Sequence, residues 1–263
     1  MTRKISLFLT LLLLSALLLS GCGGQEPEKS SIVPAATETP AAESVSEPSP
    51  ASEVAPAVEG ETAEEGETTE AERQLSLGQF SGSTYTNSYA GFGCTLDGSW
   101  TFADAQQLQD LSDIASQLID EADTEGVLDS ANISTLTDMY AESADLFSSV
   151  NVVYSKMALS ERLLYLTMDE EQMLDTAMGQ VDQLVSVYES AGMSVSSVEK
   201  VKVNFLGEEH YGMKTVYDTQ GVTCYMLQLF DPFKGSYMVT TTITSYLEDN
   251  TQAVADLFFP LEE

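Results

Sequence analysis

From residue 197 onward the chain reads as four β-type runs, 197–206, 209–218, 222–231 and 236–245. They are separated by Gly207-Glu208, Thr219-Gln220-Gly221 and Pro232-Phe233-Lys234-Gly235. Intervals this short cannot hold the dozen or so residues of a parallel crossover, so consecutive runs pair antiparallel. Val239-Thr240-Thr241-Thr242-Ile243-Thr244 is the clearest strand by β-branching. An antiparallel sheet is therefore the frame that the other elements have to cover.

Upstream, Phe92, Cys94 and Leu96 alternate with smaller or polar residues, as on a half-buried strand, and Asp97-Gly98 is a turn signal. Trp100 and Phe102 follow it as core anchors. Ala105, Leu108, Leu111, Ala115, Leu118, Ile119 and Ala122 recur at spacings of three and four, which predicts a helix over 104–122. Ile133, Leu136, Met139, Tyr140, Ala144 and Phe147 predict a second helix over 133–148, and Val150, Val152 and Tyr154 a strand over 150–157. Thr167-Met168-Asp169-Glu170 has the spacing of a capping box, opening a helix that runs to Ala191 with Gly192 as its left-handed cap. Ser245-Tyr246-Leu247-Glu248 has the same spacing and predicts a terminal helix with Val254, Leu257 and Phe258 inward. The sum is an α+β domain over 83–263, an antiparallel β-sheet flanked by helices. Cys94 and Cys224 fall in two of its strands; a disulfide and two buried free thiols are both open at this point.

The other end of the chain concerns address. Arg3 and Lys4 precede an apolar run from Ile5 to Leu19 that is shorter than the roughly 20 residues of a spanning helix and ends in small residues. Residues 1–21 thus read as a secretory signal. Leu19-Ser20-Gly21-Cys22 resembles the lipobox of bacterial lipoproteins, a resemblance that implies lipidation of Cys22 and an anchor on the outer face of the cell membrane. Residues 22–82 are rich in Glu, Ala, Ser, Thr and Pro and have little to bury, so they read as a disordered acidic linker. As a coil of about 60 residues it would reach roughly 40 to 45 Å.

The chain holds 10 Lys+Arg against 42 Asp+Glu; without Arg3 and Lys4 the mature chain has 8 against 42, a net charge of −34. Phosphate backbones need clustered cations, and the folded part offers only Lys156, Arg162, Lys200, Lys202, Lys214 and Lys234, which excludes nucleic acid as a partner. The single histidine, His210, stands beside an apparent turn and reads as a solvated strand-end residue. With no Gly-rich phosphate loop, no Cys/His metal spacing and no nucleophile–base pattern, no catalytic residue is assigned.

The Gly-Phe strand ending in a turn and tryptophan, the helix capped by Gly192, the meander and the closing helix together resemble the PsbP-like α/β/α sandwich, and Firmicutes lipoproteins that join such a domain to an acidic linker. The resemblance covers 84–263 and implies docking rather than chemistry, with no functional residue to carry over. The expected function is a membrane-anchored, non-catalytic binding or accessory domain whose partner is a protein or a cell-envelope component. The alternative enzyme class is a cell-envelope hydrolase using carboxylates. A third expectation concerns 121–132, which is similar to an EF-hand loop: Glu121, Asp123, Glu125, Asp129 and Asn132 fall on side-chain ligand positions, Val127 on the backbone-carbonyl position and Gly126 on the turn. Glu121 is a methylene too long and Asn132 lacks the bidentate carboxylate, so the loop would hold Ca²⁺ only weakly; an acidic helix–helix connection is the plainer reading. No other cofactor is expected.

Overall fold

The computed structural model describes residues 75–122, 135–157, 159–234 and 236–261. The meander is as the turns require: β7 Ser194–Phe205, β8 Glu208–Thr219, β9 Val222–Lys234 and β10 Tyr237–Tyr246 pair consecutively and antiparallel. Its first two turns are Leu206-Gly207 and Gln220-Gly221, with both residues of each at positive φ (55° and 82°, 51° and 82°). That is the mirror-image turn whose twist matches the strands, and it explains glycine at the second position. Pro232, which has no N–H to donate, falls in the register shift between the Val239↔Asp231 and Tyr237↔Lys234 pairs rather than ending β9.

The meander extends on its β10 side through β6 Ser148–Lys156 and β5 Thr135–Ser143 to β4 Trp100–Phe102, giving a seven-stranded sheet in the order β4-β5-β6-β10-β9-β8-β7. The helix expected over 133–148 is therefore β5 instead. A register shift between Thr137 and Met139 inserts Asp138 as an extra residue, so Leu136 and Met139 oppose Tyr154 and Val152 on one face although they stand three apart. A bulged strand thus imitates helical spacing.

One face of this sheet is covered by α2 Leu159–Tyr165, α3 Glu170–Met178 and α4 Val181–Ser190. The long helix expected up to Ala191 is two helices, parted at Gly179-Gln180, where Gln180 sits at φ −120°. The cap is also shifted: Asp169, not Thr167, accepts from Gln172 N at 2.8 Å while Gln172 Oε1 accepts from Asp169 N. Gly192 is left-handed as expected, φ 81°, with Met193 N donating to Tyr188 O and Gly192 N to Glu189 O, a complete Schellman closure.

The other face carries α5 Thr251–Ala255 and a second antiparallel sheet, β1 Gln79–Ser81, β2 Thr84–Asn87, β3 Phe92–Thr95 and β11 Phe258–Pro260, in the order β1-β2-β3-β11. Ser245 belongs to β10 rather than to a capping box, because its side chain is fully buried and cannot cap. Phe258 is inward as expected, but from β11. Finally, α1 Ala105–Ala122 opens on an Asp104/Gln107 capping box and packs along β5, where Ser112 Oγ accepts the bulge N–H of Thr137 at 3.0 Å. The antiparallel sheet flanked by helices is thus present, with a small sheet added to one cover.

Candidate functional site

The β8–β9 ladder runs from Thr219↔Val222 to Gly212↔Leu229 and stops there. Beyond that point β8 continues to Glu208 beside β7 alone, and β9 to Lys234 beside β10 alone, so the sheet forks. Gly212 marks the apex. A Cβ there would meet Leu227 Cδ1 at 2.9 Å and Leu229 Cδ2 at 3.2 Å, so the last paired position has no room for a side chain.

Within the fork lies a cavity of about 220 Å³ walled by Phe92, Phe205, Leu229 and Phe230. Its polar lining is Glu170, His210, Asp231 and Thr241. Each comes from a different element: His210 from the free start of β8, Asp231 from the free end of β9, Thr241 from β10, and Glu170 as the first residue of α3, fixed by the Asp169/Gln172 cap. His210 Nδ1 lies 3.2 Å from Glu170 Oε1, and both side chains are about 30% exposed (31% and 29%). The imidazole also meets Phe205 edge to face, centroids 5.9 Å apart, and Phe205 in turn meets Phe92 at 6.0 Å. His210 is thus a half-buried partner of Glu170 instead of a solvated strand-end residue.

Among the described residues no Lys or Arg lines this cavity. Lys200 is tied to Glu171 (3.1 Å) and Asp175 (2.5 Å) and Lys202 to Glu209 (2.5 Å), with both ammonium groups over the Tyr211 ring. Those pairs are surface-exposed and contribute little to stability. Among the described residues no hydrogen bond joins the Thr241 hydroxyl to His210, so the relay that activates a hydroxyl nucleophile is not assembled.

Sequence reasoning missed one buried acid altogether. Asp138, 4% exposed, accepts from Gly78 N (2.9 Å), Tyr85 Oη (2.5 Å) and Asn87 Nδ2 (2.7 Å), which pins β2 of the small sheet to the bulge of β5. Burial, with the Asp138 charge beside it, pushes the Tyr85 hydroxyl well above the usual phenol range. Its legible signal is a lone acid inside the apolar run Leu136–Ala141. Its oxygens are committed to these neutral donors, and through them Asp138 ties the small sheet to the large one.

Cys94 and Cys224 are free and lie on opposite faces of the seven-stranded sheet, which decides the disulfide question against pairing. Trp100 and Phe102 are half-buried against the small-sheet core. Phe102 also walls a second cavity, of about 240 Å³, with Leu111, Tyr140, Gln107, Asp110 and Glu142. Of the loop 121–132, Glu121 closes α1, while Asp123, Glu125, Val127, Asp129 and Asn132 lie outside the described residues, as does Cys22. Among the described residues no three His, Cys, Asp or Glu side chains converge to hold a metal.

The geometry defines an α+β domain built on a forked antiparallel sheet, with a small cavity in the fork. No family profile matches the chain, and no curated protein sequence matches it. Among solved structures it is distantly similar to cyanobacterial PsbP (CyanoP) from Synechocystis sp. PCC 6803, at 10% identity and a TM-score of 0.37, over 71% of this chain and 94% of that one. A likeness at that level carries nothing of that protein's function.

Proposed function

We propose that the chain is an extracytoplasmic lipoprotein, held on the membrane through Cys22 and carried on the 22–82 linker, whose folded part is a non-catalytic binding domain with the fork cavity as its site. The observation that carries the reading is the cavity itself: apolar walls from four buried side chains, three ionisable groups among its polar lining, and a histidine engaged by Glu170 rather than by a nucleophile. Glu170 and Asp231 do share the cleft, which is what a carboxylate hydrolase needs. Size favours the binding reading. Ligand pockets run from about 300 to 1,000 Å³, so a cavity of about 220 Å³ takes a small molecule and not a run of cell-wall glycan.

Incubating the detergent-solubilised full chain with peptidoglycan and common glycans tests this. No product is expected; turnover that disappears in Glu170→Gln or Asp231→Asn establishes the hydrolase and removes the binding reading. The anchor is tested separately by metabolic acyl labelling, which Cys22→Ala abolishes because the thiol is the acceptor. Equal label in both proteins overturns the assignment.

A further inference from the structure

We infer that helix α2 docks on a phospholipid surface, its exposed leucines entering the boundary between headgroups and acyl chains. The inference goes beyond the binding domain proposed above and rests on its anchor for the choice of partner. Leu159, Leu163 and Leu166 recur at spacings of four and three along α2 and the turn that continues it, where Leu166 N donates to Arg162 O at 2.9 Å. Residues so spaced share one face. That face points outward: the three are 66%, 59% and 59% exposed, with Leu164 beside them at 41%. Tyr165, 4% exposed, is the residue by which the helix enters the core. A helix between core and water carries its polar side chains outward. On α2 the outward positions are leucines instead.

The make-up of the face selects the occupant. Its large apolar side chains are all leucine, whereas the anchors of protein–protein contacts are Trp, Tyr and Arg, with leucine under-represented. Leucines on one side of an amphipathic helix are what a bilayer interface takes up. Charge agrees. Lys156 and Lys234 both pair with Tyr237 in the strand register, and an Arg162 guanidinium N–H donates to Ser236 Oγ at 3.1 Å, so three of the six Lys and Arg residues of 83–263 gather at this end of the sheet. Formally they balance the acids of the same stretches, Glu161, Asp169 and Asp231, in a chain whose net charge is −32. The next acids, Glu170 and Glu171, turn to His210 and Lys200. Anionic headgroups repel the acidic remainder of the molecule and have no net charge to repel here. The anchor supplies the encounter: on a linker reaching roughly 40 to 45 Å from Cys22, the folded part stays concentrated at the surface, so a weak contact suffices.

The experiment places an environment-sensitive fluorophore at Leu163→Cys or, as a control, at Ser196→Cys, an exposed position on β7. The full chain is reconstituted into vesicles of phosphatidylcholine and phosphatidylglycerol in equal parts, with and without a nitroxide on the acyl chains. Cys94 and Cys224 are buried and stay unlabelled under native conditions. Label at 163 should shift to the blue and be quenched by the nitroxide, and label at 196 should do neither. Adding Leu166→Glu to the 163-labelled chain should weaken both signals, because an ionised carboxylate resists leaving water; at an exposed position it leaves the fold intact, which circular dichroism checks. No quenching at 163, equal quenching at 163 and 196, or quenching unchanged by Leu166→Glu overturns the inference. A blue shift at 163 that needs no lipid and grows with protein concentration means that a second copy covers the leucines, and overturns it too. Failure of the anchor is read separately: a wild-type chain that takes up the fluorophore has a free Cys22, whatever the label at 163 reports.

Discussion

The two faces of the seven-stranded sheet are packed by different means. Under α2–α4 the core holds six methionines, Met157, Met173, Met193, Met213, Met226 and Met238, with Tyr188 stacked on Tyr217 at 6.0 Å. Under the small sheet it holds one, Met139, among Phe92, Phe205, Phe258, Tyr85, Tyr154 and β-branched residues. Short helices laid on a twisted sheet leave irregular gaps, which unbranched, polarisable methionine fills in many arrangements. Two sheets face to face interdigitate in one arrangement, and aromatic edges fix it. The small-sheet face adds Asp138, a buried acid that is satisfied only if β2, the chain before β1 and the β5 bulge all meet. One face therefore fills volume, and the other specifies geometry.

The largest expected effect tests that specification. Asp138→Ala leaves the Tyr85 hydroxyl and one N–H of the Asn87 amide without their acceptor in a closed interior, and the half-buried Gly78 N–H without its own; the other Asn87 N–H keeps Ser76 O. At about 1 to 3 kcal/mol for each buried orphaned group, the loss should be about 2 kcal/mol or more. Urea unfolding of the full chain measures it, and a loss under about 1 kcal/mol would mean that the network does not specify the face.

A gentler pair of substitutions compares the two packings directly. Met139→Leu and Met213→Leu conserve volume at positions that are both 0% exposed. Such exchanges usually stay below about 1.5 kcal/mol. Met213 stands diagonally across the β8–β9 ladder from Met226, whose unbranched side chain can move to accept a branch, whereas Met139 is set against Val152 beside the Asp138 bulge. Met139→Leu should therefore be the more destabilising, and equal losses would erase the contrast between the faces.

The same contrast explains what was legible in the sequence. The meander could be read because its turns are local: Gly207 and Gly221 sit where a left-handed backbone is needed, and β-branching marks the strands between them. Gly192 was legible for the same reason. β5 was not, because the bulge at Asp138 turns a period of two into a spacing of three, and only the partner strand reveals it. The capping boxes at Thr167 and Ser245 matched in pattern but lost to competitors: Asp169 with Gln172 caps better in place, and Ser245 is held inside β10. The fork cavity had no sequence signature. Glu170, His210 and Asp231 lie far apart in the chain and converge only because one ladder stops at Gly212 while its neighbours continue.

The smallest effect is kinetic, and each face carries its own reporter. Burial pushes the Cys94 thiol up to about 12 and the Cys224 thiol up to about 11, so in the folded protein at neutral pH neither offers enough thiolate to react with a maleimide. Reaction then needs an opening. Cys224 lies under the helix layer, whose three members are 7, 9 and 10 residues long and can lift without breaking the sheet. Cys94 stands in β3, paired on one side with β2 and on the other with β11, so exposing it means separating the two sheets and orphaning Asp138. In urea below the unfolding midpoint, Cys224 should therefore be labelled first by local opening, and Cys94 only with global unfolding. Peptide mapping by mass spectrometry separates the two sites. Labelling of Cys94 ahead of Cys224 would place the weaker cover on the small-sheet side and reverse the comparison.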